Sequence, residues 1–244
     1  MCPKGHRHGM AEEREDLLDR LMFEHISPTQ AAVEFFYGLL MAMTLSNTLR
    51  LALFGSSAAD VVFVVSVAII GCNTAWGIAD GAVSMLTSHF QNLYYYRKVK
   101  QIKDGKDHEK TRELASEVLS EALTEIHEDI LDEETRKRMA DVAIQSIKRK
   151  EIAKPILGRS QWMAAVWCIV LNVSAALPFI AIYQLTPFLN LNLVTLLANI
   201  SGAVMLFFLG RFLDRRLGDG SGRTGLVMVG LGMLMLVMIV ALGG

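Results

Sequence analysis

Five long windows almost free of charge constrain this chain more than anything else in it: residues 31–54, 60–93, 160–184, 188–210 and 224–243. A helix needs about 20 mostly apolar residues to cross the hydrocarbon core of a bilayer. Backbone in lipid must satisfy its own hydrogen bonds, so the windows read as helices rather than strands. The second window is longer than a bilayer requires, and its lower part is expected to continue into water. The predicted fold is therefore all-α: a polytopic membrane protein with five transmembrane helices and a cytoplasmic helical hairpin insert between helices two and three. Residues 1–30 form a polar N-terminal segment with an amphipathic stretch over 11–25. Residues 31–96 carry helices one and two, 97–158 the charged insert, and 159–244 helices three to five. Met1–Gln30 has no apolar core ahead of a small-residue cleavage site and does not read as a signal peptide.

Charge placement orients these helices. Of the 24 Lys and Arg residues, four lie in 1–30, fifteen in 97–159, and four between the last two windows (Arg211, Arg215, Arg216, Arg223). Arg50 is the exception, and the loops near 55–59 and 185–190 carry none. The positive-inside rule then places the N-terminus and the insert in the cytoplasm and the C-terminus on the opposite side. In a prokaryotic cell the membrane would be the inner one. Tyr94, Tyr95 and Tyr96 before Arg97, and Trp162 after Arg159, stand where an interfacial aromatic belt belongs. The formal net charge of −1 gives no electrostatic case for nucleic acid. Cys2, Cys72 and Cys168 share no close spacing, which excludes a disulfide scaffold and a thiolate zinc site. His6-Arg7-His8 reads as incidental histidines in a terminal segment.

The insert reads as a hairpin over 104–154. Ala115, Leu119, Ala122 and Ile126 form one apolar face, Asp132 starts a second helix, and Met139, Val142, Ala143 and Ile147 face inward from it. Glu109, Glu113, Glu117, Glu121 and Glu125 recur every four residues, with Glu128 three further on, so their carboxylates share one face. No basic residue lies between Arg112 and Arg136. Like charges at this spacing cost about 0.2–0.5 kcal/mol per pair, so something outside that helix must neutralise the stripe. Three readings stay open: a solvated face, the basic residues of the second helix, or divalent cations with His127 as a nitrogen ligand.

Ionisable residues inside a span are expensive and mark function by default. Asn73, Asp80, Ser84 and Thr87 share a stripe on span two, with Met85 and His89 on a neighbouring one. Asp80 reads as functional. Glu34, at the cytoplasmic edge of span one, reads as a snorkelling or interfacial carboxylate. Met41 and Met43 read as packing residues, with Met41 also a candidate thioether on a path. Gly77 and Gly81 are spaced to admit a second helix closely. There is no nucleophile–base constellation, P-loop or HExxH, so the chain does not read as an enzyme.

With these features in place, the sequence resembles the vacuolar iron transporter family. The likeness rests on five spans with a long charged insert after the second, on Gly77-Ile78-Ala79-Asp80-Gly81-Ala82-Val83-Ser84-Met85, on Ser174-Ala175-Ala176-Leu177-Pro178-Phe179, and on Gly202–Gly210 followed by Arg223-Thr224-Gly225-Leu226. The resemblance implies a homodimer in which the spans form an ion path and the inserts a cytoplasmic metal-binding platform. It makes Met85 the counterpart of a path methionine and Glu113, Glu117, Glu121, Glu125, Glu128 and Met139 counterparts of insert ligands. The chain departs from the family where an acidic span-one position falls on Met41-Ala42, where Gly77 replaces a glutamate, and where Ser88-His89-Phe90 replaces Gly-Glu-Tyr.

The expected function is export of a divalent metal ion, Fe²⁺ or Mn²⁺ and also Zn²⁺, from the cytoplasm, in exchange for protons as in the family. Asp80, Met85, His89, Asn73, Ser84 and Met41 would line the path, and no tightly bound cofactor is expected. The alternative is a non-transporting membrane scaffold or metal sensor whose insert binds metal or a partner protein.

Overall fold

In the computed structural model, residues 22–53, 55–123, 132–217 and 222–241 are described, and they form seven helices. These are α1 (Pro28–Ala52), α2 (Ala58–Asp104), α3 (His108–Leu123), α4 (Glu133–Arg149), α5 (Arg159–Tyr183), α6 (Leu191–Leu217) and α7 (Arg223–Ala241). No strand occurs among the described residues. Two compact units result: residues 1–84 with 159–244, and residues 85–158.

Three helices, α2, α5 and α6, are long and apolar enough to cross a membrane, and α7 contains a shorter apolar stretch. The first unit also has the inside-out polarity of a lipid-solvated bundle. Phe63, Ile78, Val83, Phe208 and Leu226 are exposed, while Asn73 and Asn172 are completely buried. Water would penalise those outward apolar faces, and lipid does not. Helix α2 runs for 47 residues, about 70 Å at 1.5 Å per residue, so it extends well past a hydrocarbon core, as its sequence predicts.

Local chemistry sets the helix ends. Ser27 caps α1, its hydroxyl accepting from the Gln30 amide at 3.1 Å, with Pro28 in the first turn, where a missing N–H costs nothing. Asp132 caps α4 in the same way through Thr135.

Within the first unit, Leu39, Met43, Val65, Ile69, Phe179, Tyr183, Val194 and Leu206 form one core shared by α1, α2, α5 and α6. Small residues let these helices close up. A Cβ at Gly38 would lie 2.9 Å from the Asn172 carbonyl of α5; one at Gly77 would lie 2.7 Å from the Ile169 Cα, and one at Gly81 2.8 Å from the Ala165 carbonyl. The glycine pair on α2 thus does admit a helix, and that helix is α5. On α6 and α7, Gly210 and Gly225 meet in the same manner.

The second unit holds the insert helices. Ile102, Ala115, Ala140 and Ile144 form its buried core, with Leu119 and Ile147 packed beside them. Here α4 is rotated from the face its spacing predicts: Ala140 and Ile144 point inward, and Val142 is exposed. Ala140 and Ile144 are the residues that pack on Ile102 and Ala115. Beside that face Arg112 of α3 donates to both carboxylate oxygens of Asp141, at 2.9 and 2.7 Å. Ile126 lies outside the described residues.

Replacing Gly77 or Gly81 with Leu forces side-chain atoms into the α5 backbone and should destabilise the fold by about 1–3 kcal/mol each. Gly71, whose Cβ would meet nothing within 4 Å, should tolerate Ala without loss. Thermal unfolding of the detergent-solubilised protein checks both outcomes.

Candidate functional site

The close approach of α5 to both α1 and α2 gathers polar groups inside the apolar bundle. Gly38 seats α1 on Asn172, and Glu34, one turn before Gly38, reaches the same amide. Asn172 Nδ2 donates to Glu34 Oε2 at 2.9 Å and to the Cys168 carbonyl at 3.0 Å. Gly77 and Gly81 flank Asp80 and bring its carboxyl up to the same place. The Asp80 carboxyl and the Cys168 thiol are close enough to the Glu34 carboxyl to interact with it electrostatically. Glu34 is 6% exposed, and Asn172 and Cys168 are fully buried. Asp80 Oδ2 and Asn172 Oδ1 are buried with no hydrogen-bond partner.

Glu34 is therefore no snorkelling carboxylate. The amide of Asn172 and the close seating of α1 on α5 hold it inward, where a snorkelling side chain would turn outward to water. Two carboxyl groups facing each other in an apolar bundle call for a positive charge between or beside them, whether a proton or a metal ion. As placed, Glu34, Asp80 and Cys168 do not converge into a metal-ligating group.

The remaining path candidates are distributed along the bundle. Asn73 is buried and donates to the Ile69 carbonyl at 2.9 Å, leaving its own oxygen unpaired. Ser84 accepts from Gln30 Nε2 at 2.9 Å, so the N-terminal turn of α1 is tied to α2 just beyond Asp80. Met41 lines an apolar cleft of about 350 Å³ with Tyr37, Thr44, Cys72, Trp76 and Met235. Met85 and His89 belong to the second unit. The His89 ring lies 6.2 Å from that of Phe90, and its Nδ1 is buried and unpaired.

The middle of the acidic stripe is neutralised by a residue from outside α3 and α4. Lys98, near the end of α2, donates to Glu117 Oε1 at 3.0 Å and to Glu121 Oε1 at 2.8 Å. Tyr94 Oη donates to the same Glu121 oxygen at 3.1 Å, and its ring lies 4.5 Å below the ammonium. The hydrogen bond from Lys98 holds the Glu121 carboxyl below its ordinary range, and Glu121, with Tyr94, raises the lysine above its own. Glu121 Oε2 is buried and unpaired. Glu109 and Glu113 are exposed, and Met139 is half-buried on α4. Glu125, His127 and Glu128 lie outside the described residues. Among the described residues, no three His, Cys, Asp or Glu side chains converge as a metal-ligating group.

Sequence reasoning missed Asn172 and Cys168, a polar residue and a thiol four apart on one face of an otherwise apolar helix. It also missed Lys98, beside the tyrosine belt, as the partner of the stripe. No protein-family model, curated protein or solved structure matches this chain.

Glu121 and Asp141 are both held below their ordinary values, Asp141 by the Arg112 guanidinium. A depressed carboxyl stabilises the folded state above its unfolded value, about 3.9–4.3, and loses that contribution as the pH falls through its folded value. The packing of α3 on α4 and on the end of α2 should therefore be undiminished at neutral pH and weaken below about pH 4. In Glu121→Gln/Asp141→Asn the acid dependence should largely vanish. Hydrogen exchange over 108–149 in the full chain, corrected for intrinsic rates, reads both effects.

Proposed function

We propose that this protein is a five-span membrane carrier that moves a divalent metal ion, Fe²⁺ or Mn²⁺, out of the cytoplasm, acting as a divergent relative of the vacuolar iron transporters. The facing pair of Glu34 and Asp80 carries this reading. It lies at the meeting of three helices, and Asp80 Oδ2, like the neighbouring Asn172 Oδ1, has no hydrogen-bond partner. Its donors are close without closing into a tight ligand shell, which suits transit: a path must bind its ion well enough to admit it and weakly enough to release it. Glu34 supplies a span-one carboxylate seven positions before Met41, in a chain where the family's acidic position there is absent. The exposed carboxylates of α3 would collect the ion on the cytoplasmic side, and two copies would form the working unit.

A second reading has its own support. Lys98 neutralises the middle of the acidic stripe internally, and a stripe so balanced serves a scaffold or sensor as well as a metal-capturing platform. The two readings separate at the membrane. A carrier needs the Glu34–Asp80 pair, and a scaffold does not.

Purified protein in sealed liposomes, loaded with a metal-sensitive dye, should admit Mn²⁺ or Fe²⁺. Glu34→Gln and Asp80→Asn should each cut the flux at least about tenfold, the loss of about 1.4 kcal/mol of transition-state stabilisation or more. Asp60→Asn, at the exposed start of α2, should leave it unchanged. Flux equal to that of protein-free liposomes, or flux indifferent to both pair variants, overturns the carrier reading.

A further inference from the structure

Just beyond the tyrosine cluster, α2 carries four basic residues within seven positions, Arg97, Lys98, Lys100 and Lys103, and Lys106 follows in the loop after it. Two of them have internal work. Lys98 holds Glu117 and Glu121, and Lys103 donates to the Lys150 carbonyl at 2.7 Å. Arg97 and Lys100 are exposed and have no acidic partner within ion-pair distance among the described residues. They do not point at random. Positions 97, 100, 101 and 104 share one helix face, and Arg97, Lys100, Gln101, Asp104 and Gly105 line a groove of about 490 Å³. Two guanidinium or ammonium groups, an amide and a single carboxylate leave that groove net positive.

Its position narrows the occupant. Tyr94 and Tyr95 are 46% and 37% exposed, one helical turn before Arg97. Exposed tyrosines at the end of an apolar helix sit at headgroup level. Basic residues immediately beyond such a belt face the anionic leaflet, where each contributes about 1 kcal/mol of attraction. We propose that this groove binds the phosphate headgroup of an anionic phospholipid, with Arg97 and Lys100 as its charge contacts and Gln101 as an additional donor. The lipid would hold the membrane end of the insert in place through the two basic residues of this face that the protein leaves unpaired. The proposal rests on α2 crossing the bilayer and is independent of what, if anything, the protein carries.

The test uses the full-length protein in detergent, titrated with phosphatidylglycerol or phosphatidylcholine and read by native mass spectrometry. Phosphatidylglycerol should bind preferentially, more weakly as salt rises. Arg97→Gln/Lys100→Gln should weaken it about 25-fold, from about fivefold per charge removed. Arg97→Lys/Lys100→Arg should retain it, and Arg149→Gln/Lys150→Gln, which removes two charges elsewhere in the same unit, should change it by less than about twofold. Equal binding of the two lipids, or equal loss in both Gln double variants, overturns the proposal. Displacement of the lipid by an equimolar amount of inorganic phosphate assigns the groove to free phosphate and overturns it as well. Metal flux through the Glu34–Asp80 pair is measured separately, so failure of either idea leaves the other standing.

Discussion

Close backbone contact between α5 and its two neighbours is the constraint on which the rest of the bundle depends. In lipid there is no hydrophobic force to draw helices together, so association relies on packing at small residues and on polar contacts that lipid cannot offer. Gly38, Gly77 and Gly81 provide the first. The amide of Asn172, with Glu34 on one side, provides the second. Both act on the same short stretch of α5, between Ala165 and Ala175, so the packing that holds the bundle together is also what brings two carboxyl groups face to face.

That coincidence separates the polar groups of the bundle into two kinds. Asn47 and Asn199 exchange amide hydrogen bonds at 2.8 and 3.0 Å, and Tyr183 meets the Ser46 carbonyl and Thr195. These groups satisfy each other and read as structural glue between α1, α5 and α6. At Glu34 and Asp80 the groups face each other without full compensation, and unpaired oxygens remain on Asp80 and Asn172. Buried polar atoms are nearly always paired, which sets Asp80 and Asn172 apart from the mutually satisfied amides.

In the insert, one lysine changes the meaning of the acidic stripe. Read along α3, the glutamates are unbalanced and demand an external cation. In the folded unit the demand is partly met by Lys98, whose side chain is only 12% exposed and whose hydrogen bonds to Glu117 and Glu121 are reinforced by Tyr94. The two outer members, Glu109 and Glu113, remain open to solvent.

By itself, the sequence determined the all-helical class, the long apolar helices and the continuation of α2 beyond them. Hydrophobic run length and the Asp132 cap are local properties, and no packing is needed to express them. It also showed that Gly77 and Gly81 are spaced to let a helix approach closely. Which helix they meet, and therefore which residues become neighbours, only the tertiary structure decided. Glu34 and Asp80 are 46 residues apart, and nothing in either segment states that Asn172 will turn Glu34 inward. The face of α4 that exposes Val142 and buries Ala140 follows from packing on Ile102 and Ala115, with the Arg112–Asp141 pair beside it, contacts across 25 residues or more. Lys98 meets Glu121 across a reversal of the chain. Charge partners set by chain reversal are invisible to periodicity, because periodicity describes one helix at a time and a site is made where several helices meet.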